Sequence, residues 1–186
     1  MADFNIFFPT LEDNEGFYAN VPGDSGGETW IGISYNNYPS WAGWAIINSY
    51  KINGSFPSTQ YANRVLKADQ NLMALVIKFY HDTEWHTIDG DQINNDSLAD
   101  FIADWCVNAG FTTPIKHLQQ ILGVDSDGKF GPATLAALNS EDGATVFNGL
   151  KAARIAFYHA CVAAHPVDQK FLSNWLERTN SFSYKP

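Results

Sequence analysis

Apolar residues recur at helical spacing along most of this chain, and the pattern lapses into a glycine-rich, irregular stretch between Glu15 and Ser34. That contrast constrains the fold more than any other feature of the sequence. Residues 3–14 read as a short first helix, with Gly16 placed to cap its C-terminus. Val65, Ala68, Leu72, Leu75, Val76 and Phe79 keep helical period through 59–80. Leu98, Phe101, Ile102, Trp105 and Ala109 form one face of a helix from about Ser97, and Val146, Leu150, Ala153, Phe157 and Cys161 trace another over 143–164. Thr113-Pro114 and Gly131-Pro132 each open a helix with proline in its first position, where the lost N–H costs nothing. Trp41, Trp44 and Ile47 begin a helix after Pro39-Ser40, and Asp168 is placed to cap a last one carrying Phe171, Leu172 and Trp175. Residues 17–35, around Pro22-Gly23-Asp24-Ser25-Gly26-Gly27, suit an irregular β-hairpin. The expected fold class is mainly α with a small irregular β-hairpin.

With 186 residues, 45% apolar and 15% aromatic, the chain suits one compact domain or two small ones sharing a core. Its net charge of −9 argues against a nucleic-acid partner and against electrostatic adhesion to an anionic surface. No stretch is long and apolar enough to span a membrane, so no membrane insertion is expected. The N-terminus lacks the pattern of a signal peptide, which leads to the expectation of synthesis in the cytoplasm. Cys106 and Cys161 lie in apolar helical patterns far apart in sequence and read as free thiols.

The irregular stretch, EGFYANVPGDSGGETWIGIS, holds the chemistry. Glu15 precedes a glycine, Asp24 stands nine positions on, and Thr29 five beyond that. A glycosidase working by acid catalysis needs a carboxylic acid on one side of the sugar and a carboxylate, often with a hydroxyl, holding water on the other. A helix end followed by a tight hairpin brings three such groups around one cleft. Glu15 is then the general acid, between apolar walls such as Phe17 and Trp30, and the resemblance of its spacing to phage-type lysozymes implies that Asp24 with Thr29 orients the water. Glu28, on the same hairpin, is the competing second carboxylate. The Glu15–Asp24 spacing resembles the Glu/Asp/Thr arrangement of phage-type lysozymes, with the Asp24–Thr29 gap one residue shorter. The wider string resembles the Glu-Gly-Gly-Tyr and Gly-Gly-Glu-Thr signatures of glycoside hydrolase family 108, the endolysin-like "secretion activator" muramidases. Phe17 stands where that family has its second glycine.

Tyr18, Trp30, Tyr35, Tyr38, Trp41 and Trp44 form a dense aromatic set. Most such rings serve the core; Tyr18 and Trp30 are the candidates for stacking on sugar. His81 and His86 are five apart, unlike the i, i+4 pair of a zinc helix, so no metal site is read there. Asp104 and Asn108, one turn apart, either enter the cleft, with Asn108 as a substrate contact, or tie the helix in place. Counted as an EF-hand loop from Asp125, the sixth and twelfth positions are Phe130 and Ala136, so calcium is excluded. Instead, Leu118-Gln119 … Leu122-Gly123 … Asp127-Gly128-Lys129-Phe130-Gly131 … Thr134 resembles the helical peptidoglycan-binding motif, in which an Asp-Gly turn joins two packed helices.

The two resemblances cover roughly residues 4–92 and 93–165. They imply a lysozyme-like catalytic region over 1–92 and a helical peptidoglycan-binding-like region over 93–186, sharing one core. The implied activity is an N-acetylmuramidase that cuts the β-1,4 bond between N-acetylmuramic acid and N-acetylglucosamine in peptidoglycan glycan strands. It needs no cofactor, because side chains supply proton and water. It would act as a monomer, on the wall, after holin-type release or lysis. A lytic transglycosylase, a non-catalytic wall-binding or secretion-regulating protein and a chitinase-type enzyme remain open.

Overall fold

The structure is a computed structural model that describes residues 1–21 and 26–186. It is mainly α: among the described residues nine helices accompany one two-stranded hairpin. The chain divides into two compact units, one of Phe8–Asp82 and one joining Met1–Phe7 to Thr83–Pro186.

The Phe8–Asp82 unit takes most of α1 (Phe4–Glu15), which stops where Gly16 adopts φ +72. Next come β1 (Thr29–Trp30) and β2 (Ile33–Ser34), antiparallel, with Thr29 opposite Ser34 and Trp30 opposite Ile33. That register leaves a two-residue loop, Ile31-Gly32, with both φ values positive (44 and 70), as a type I′ turn requires. The base of the hairpin is fastened by backbone bonds between Ala19 and Thr29 and by the Ser34 hydroxyl donating to the Gly26 carbonyl at 2.6 Å. α2 (Gly43–Ser49) follows. The periodic stretch 59–80 is two helices, α3 (Thr59–Ala68) and α4 (Gln70–Tyr80). Asp69 separates them: its backbone is extended, and its carboxylate accepts from the Leu72 N–H at 2.9 Å and from the Tyr50 hydroxyl at 2.9 Å. A side chain that caps the next helix interrupts the previous one without disturbing the apolar period.

The other unit is a helical bundle of α5 (Asp96–Ala109), α6 (Thr112–Leu122), α7 (Pro132–Ser140), α8 (Gly143–Ala164) and α9 (Gln169–Ser181). α8 packs against α5, α6 and α9. Phe101, Trp105, Leu118, Leu138, Phe147 and Leu150 are buried there. Pro132 opens α7 as its first residue, whereas Pro114 is the third residue of α6, still within the turn whose N–H groups need no intrahelical partner. Asp168 occupies the N-cap position of α9 but makes no side-chain capping bond, so the sequence expectation of a cap there is corrected to position alone. Cys106 and Cys161 are both free.

The Leu-Gln…Asp-Gly…Thr motif has a structural account. Gln119, 2% exposed, donates to Asp127 Oδ1 (2.9 Å), the Lys129 carbonyl (3.0 Å) and Thr134 Oγ1 (3.2 Å), and accepts from the Gly128 N–H (2.8 Å). One buried amide therefore joins α6, the Asp-Gly turn and α7.

Candidate active site

Glu15 is the last residue of α1. An anion gains nothing from the macrodipole at a helix C-terminus, so its place there does not serve α1. Its carboxylate lies against the hairpin turn: a methyl group placed on Gly32 would sit 2.7 Å from Glu15 Oε2 and 2.5 Å from the Tyr80 hydroxyl. Only glycine leaves that space and accepts φ +70 at the same time. Tyr80, 3% exposed, donates to the Ile31 carbonyl at 2.7 Å and so ties α4 to the turn. Ile31 itself is fully buried at φ +44. A β-branched residue in the left-handed region costs about 1–3 kcal/mol and persists only where its surroundings impose it. The strained turn, the buried tyrosine and the carboxylate thus meet at one point.

Around that point the side chains are firmly held. Phe17, in the position of the family glycine, lies between the Trp30 ring (centroids 6.1 Å) and the Lys67 ammonium (4.4 Å from its centroid). Lys67 also reaches Glu12 at 3.3 Å. Glu28 accepts from Lys51 Nζ at 2.7 Å, and Lys51 also donates to Asn48 Oδ1 at 2.7 Å. Tyr18, half-buried, hydrogen-bonds Glu28 as well. Burial first, then that bond and the Glu28 charge, push its phenol up to about 12, so Tyr18 stays a proton donor throughout the physiological range.

Glu15, Tyr18, Thr29 and Trp30 all belong to the Phe8–Asp82 unit. Thr29 lies on β1, its backbone paired with Ala19 in both directions and its hydroxyl 3.5 Å from the Ala19 carbonyl. Asp24 lies outside the described residues. Trp30 is a correction: at 0% exposure its ring offers no face to a sugar and belongs to the core. Other rings of the aromatic set pack edge-on against neighbours, Tyr35 on Trp44 at 5.3 Å, Tyr38 on Phe79 at 4.8 Å and Trp41 on Trp44 at 5.4 Å, with Tyr35 and Tyr38 still exposed.

Asn108 belongs to the helical unit, where it accepts from the Tyr158 hydroxyl. Asp104, fully buried, is clamped by Arg154 at 2.8 Å and by Arg178 at 2.8 Å. Both side chains of this pair tie helices together. Among the described residues no three His, Cys, Asp or Glu side chains gather as a metal site needs, and no helix is long and apolar enough to cross a membrane. Ile31 and Tyr80 are site residues that the sequence does not announce. Ile-Gly is not a usual hairpin turn pair, and Tyr80 appears in sequence only as the end of an apolar helix.

Comparison with known proteins gives the chain's family. Residues 8–110 match the family model described as Glycosyl hydrolase 108, and residues 113–180 match the one described as Predicted Peptidoglycan domain. No curated protein matches the chain. Among solved structures, SagA of Brucella abortus is similar, with 25% identity over 98% of this chain and 96% of that one and a TM-score of 0.59. A glycosyl hydrolase region that carries the carboxylate, followed by a peptidoglycan region built on Gln119, is the make-up of a peptidoglycan hydrolase, and the chain belongs to glycosyl hydrolase family 108.

Proposed function

We propose that the protein is an N-acetylmuramidase that hydrolyses the β-1,4 bond between N-acetylmuramic acid and N-acetylglucosamine by general acid catalysis. One observation carries this reading. The Glu15 carboxylate rests on a strained, glycine-dependent turn, in a chain of the glycosyl hydrolase 108 family. Glu15 gives its proton to the glycosidic oxygen as the sugar becomes oxocarbenium-like. Asp24, with the Thr29 hydroxyl, orients the water that attacks the opposite face, which inverts the anomeric centre. Glu28 is the weaker candidate for that task, because Lys51 and Tyr18 already engage it. In this reading residues 1–92 carry catalysis and residues 93–186 contribute folding and wall affinity.

The test is mass spectrometry of muropeptides from purified peptidoglycan digested with the wild type and with Glu15→Gln. The expected products carry reducing N-acetylmuramic ends. Glu15→Gln keeps the shape but has no proton to give, so turnover should fall by roughly 10²–10⁴ or more. Anhydromuramic ends would make the enzyme a lytic transglycosylase. A folded Glu15→Gln protein with near-native turnover would remove Glu15 from the mechanism.

A further inference from the structure

The chain has three arginines. Arg154 and Arg178 close on the buried Asp104. Arg64 stands exposed on α3, in the unit that holds Glu15. The lysines of that unit sit on carboxylates: Lys51 on Glu28 (2.7 Å), Lys67 on Glu12 (3.3 Å) and Lys78 on Asp82 (2.6 Å). Among the described residues Arg64 has no carboxylate partner; its guanidinium carbon lies 5.4 Å from the centre of the Tyr61 ring. A cation–π contact of that kind favours a guanidinium held beside the ring and leaves its N–H donors available.

Arg64 and Tyr61, with Ser58 and Gln60, line a cavity of about 300 Å³. The Ser58 hydroxyl accepts from the Tyr61 N–H at 3.1 Å and keeps its own O–H to donate, so the guanidinium, the Gln60 amide, that hydroxyl and the Tyr61 ring are what the cavity offers a ligand. A row of half-buried rings leads to it. Tyr18, three residues after Glu15, meets Phe56 edge-on at 4.8 Å, and Phe56 lies 6.4 Å from Tyr61. Rings in a row take the apolar faces of sugars, and an open guanidinium fork takes a carboxylate with two parallel hydrogen bonds.

We propose that the Arg64–Tyr61 cavity is a subsite for the carboxylate-bearing substituent of muramic acid. In an alternating amino-sugar strand, the muramic residue alone bears an acid. It is either the lactyl carboxylate itself or, where that group is amide-linked, a carboxylate of the attached peptide. Both present the same chemistry to Arg64, and neither exists in chitin. This rests on the muramidase reading and deepens it, by naming the group that makes the enzyme choose peptidoglycan.

The experiment measures binding, so that it does not depend on turnover. In the Glu15→Gln background, dissociation constants are taken for three soluble strands: peptide-bearing glycan, the same glycan stripped by an amidase to its lactyl groups, and chitin oligosaccharides. Arg64→Ala should weaken binding of an acid-bearing strand by about 10–100-fold, the range for a charge-assisted bidentate contact. Arg64→Lys should restore only part of it, and the chitin constant should not move. A loss on peptide-bearing strands alone assigns the cavity to the peptide acid, a loss on the stripped strands alone assigns it to the free lactyl carboxylate, and a loss on both means that Arg64 takes whichever acid the muramic residue bears. An unchanged constant on both, or an equal loss on chitin, overturns the proposal. The muropeptide spectrum of the wild type reports on the muramidase reading separately, so the two failures are distinguishable.

Discussion

Gly32 has no side chain, yet the site depends on what it lacks. A methyl group there would press on the Glu15 carboxylate at 2.7 Å and on the Tyr80 hydroxyl at 2.5 Å, in a backbone conformation at φ +70 that L-residues resist. Gly32→Ala should therefore cost stability of about 1–2 kcal/mol. It should cost wall hydrolysis far more, because the displaced group is the carboxyl proposed as the acid. Parallel thermal melts and a wall-clearing assay check this; activity that falls only in step with stability would mean that the Glu15 position is not critical. At this scale the sequence is partly legible. Glu15 and Gly16 stand out because an acid at a helix end, before a glycine, has no local use. Trp30 misleads, because aromatic density cannot say which ring is turned inward, and here it is the one at 0% exposure. Tyr80 is silent, because its partner Ile31 lies 49 residues away and only the tertiary fold brings them together.

The helices show where local pattern suffices and where it does not. Bounds of α8 are readable from its apolar stripe alone, and the structure adds the Asp142 cap that starts it. The break at Asp69 is hidden because the apolar period runs through it. α5 carries Asp96, Asp100 and Asp104 one turn apart, a feature that apolar periodicity passes over. Burial first, then the charges of Asp96 and Asp104, push the Asp100 carboxyl up to about 7, with Lys185 opposing. The folded chain thus keeps a proton that the unfolded chain releases near pH 4. This group's effect on stability is most favourable below about pH 4 and worsens as pH rises to about 7, where the folded state must also ionise. Asp100→Asn should remove that decline, raising stability at pH 8 by something of order 1–3 kcal/mol relative to the wild type, after allowance for partial hydration. Urea titrations at pH 5 and pH 8 decide it. A variant with the wild-type difference between the two pH values would show that Asp100 is not the source.

At the scale of the molecule, the chain's two compact units are not its two halves. Met1–Phe7 joins Thr83–Pro186, so the first residues belong with the last hundred. The physical cause is local to that unit. Phe4 and Phe7 each lie 5.6 Å from the fully buried Trp85 ring, and Gly90 leaves room for that ring, since a methyl group there would overlap it at 2.3 Å. Backbone bonds from Ala2 to Ile93 (2.7 Å) and from the Asp3 N–H to Asp96 (2.8 Å) fasten the segment. α5 packs on the turn that ends at the buried Ile88. A fragment of residues 1–91 retains Phe4, Phe7, Trp85 and Ile88 but loses Ile93, Asp96 and every helix from α5 onward. Uncovering several large apolar side chains that each contribute about 1.5–3 kcal/mol when buried should leave it without cooperative unfolding, and poorly soluble. Calorimetry and activity on soluble glycan strands test this. A fragment that melts cooperatively and cleaves at the full-length rate, merely binding whole walls less well, would make residues 93–186 a separable anchor. Loss of cooperative melting together with activity would mean that the helical unit is required to fold the catalytic one. The net charge of −9 adds a second readout: wall binding by the intact chain should persist in moderate salt apart from screening of the single Arg64–carboxylate contact, because an acidic protein is not drawn to an anionic wall by its net charge.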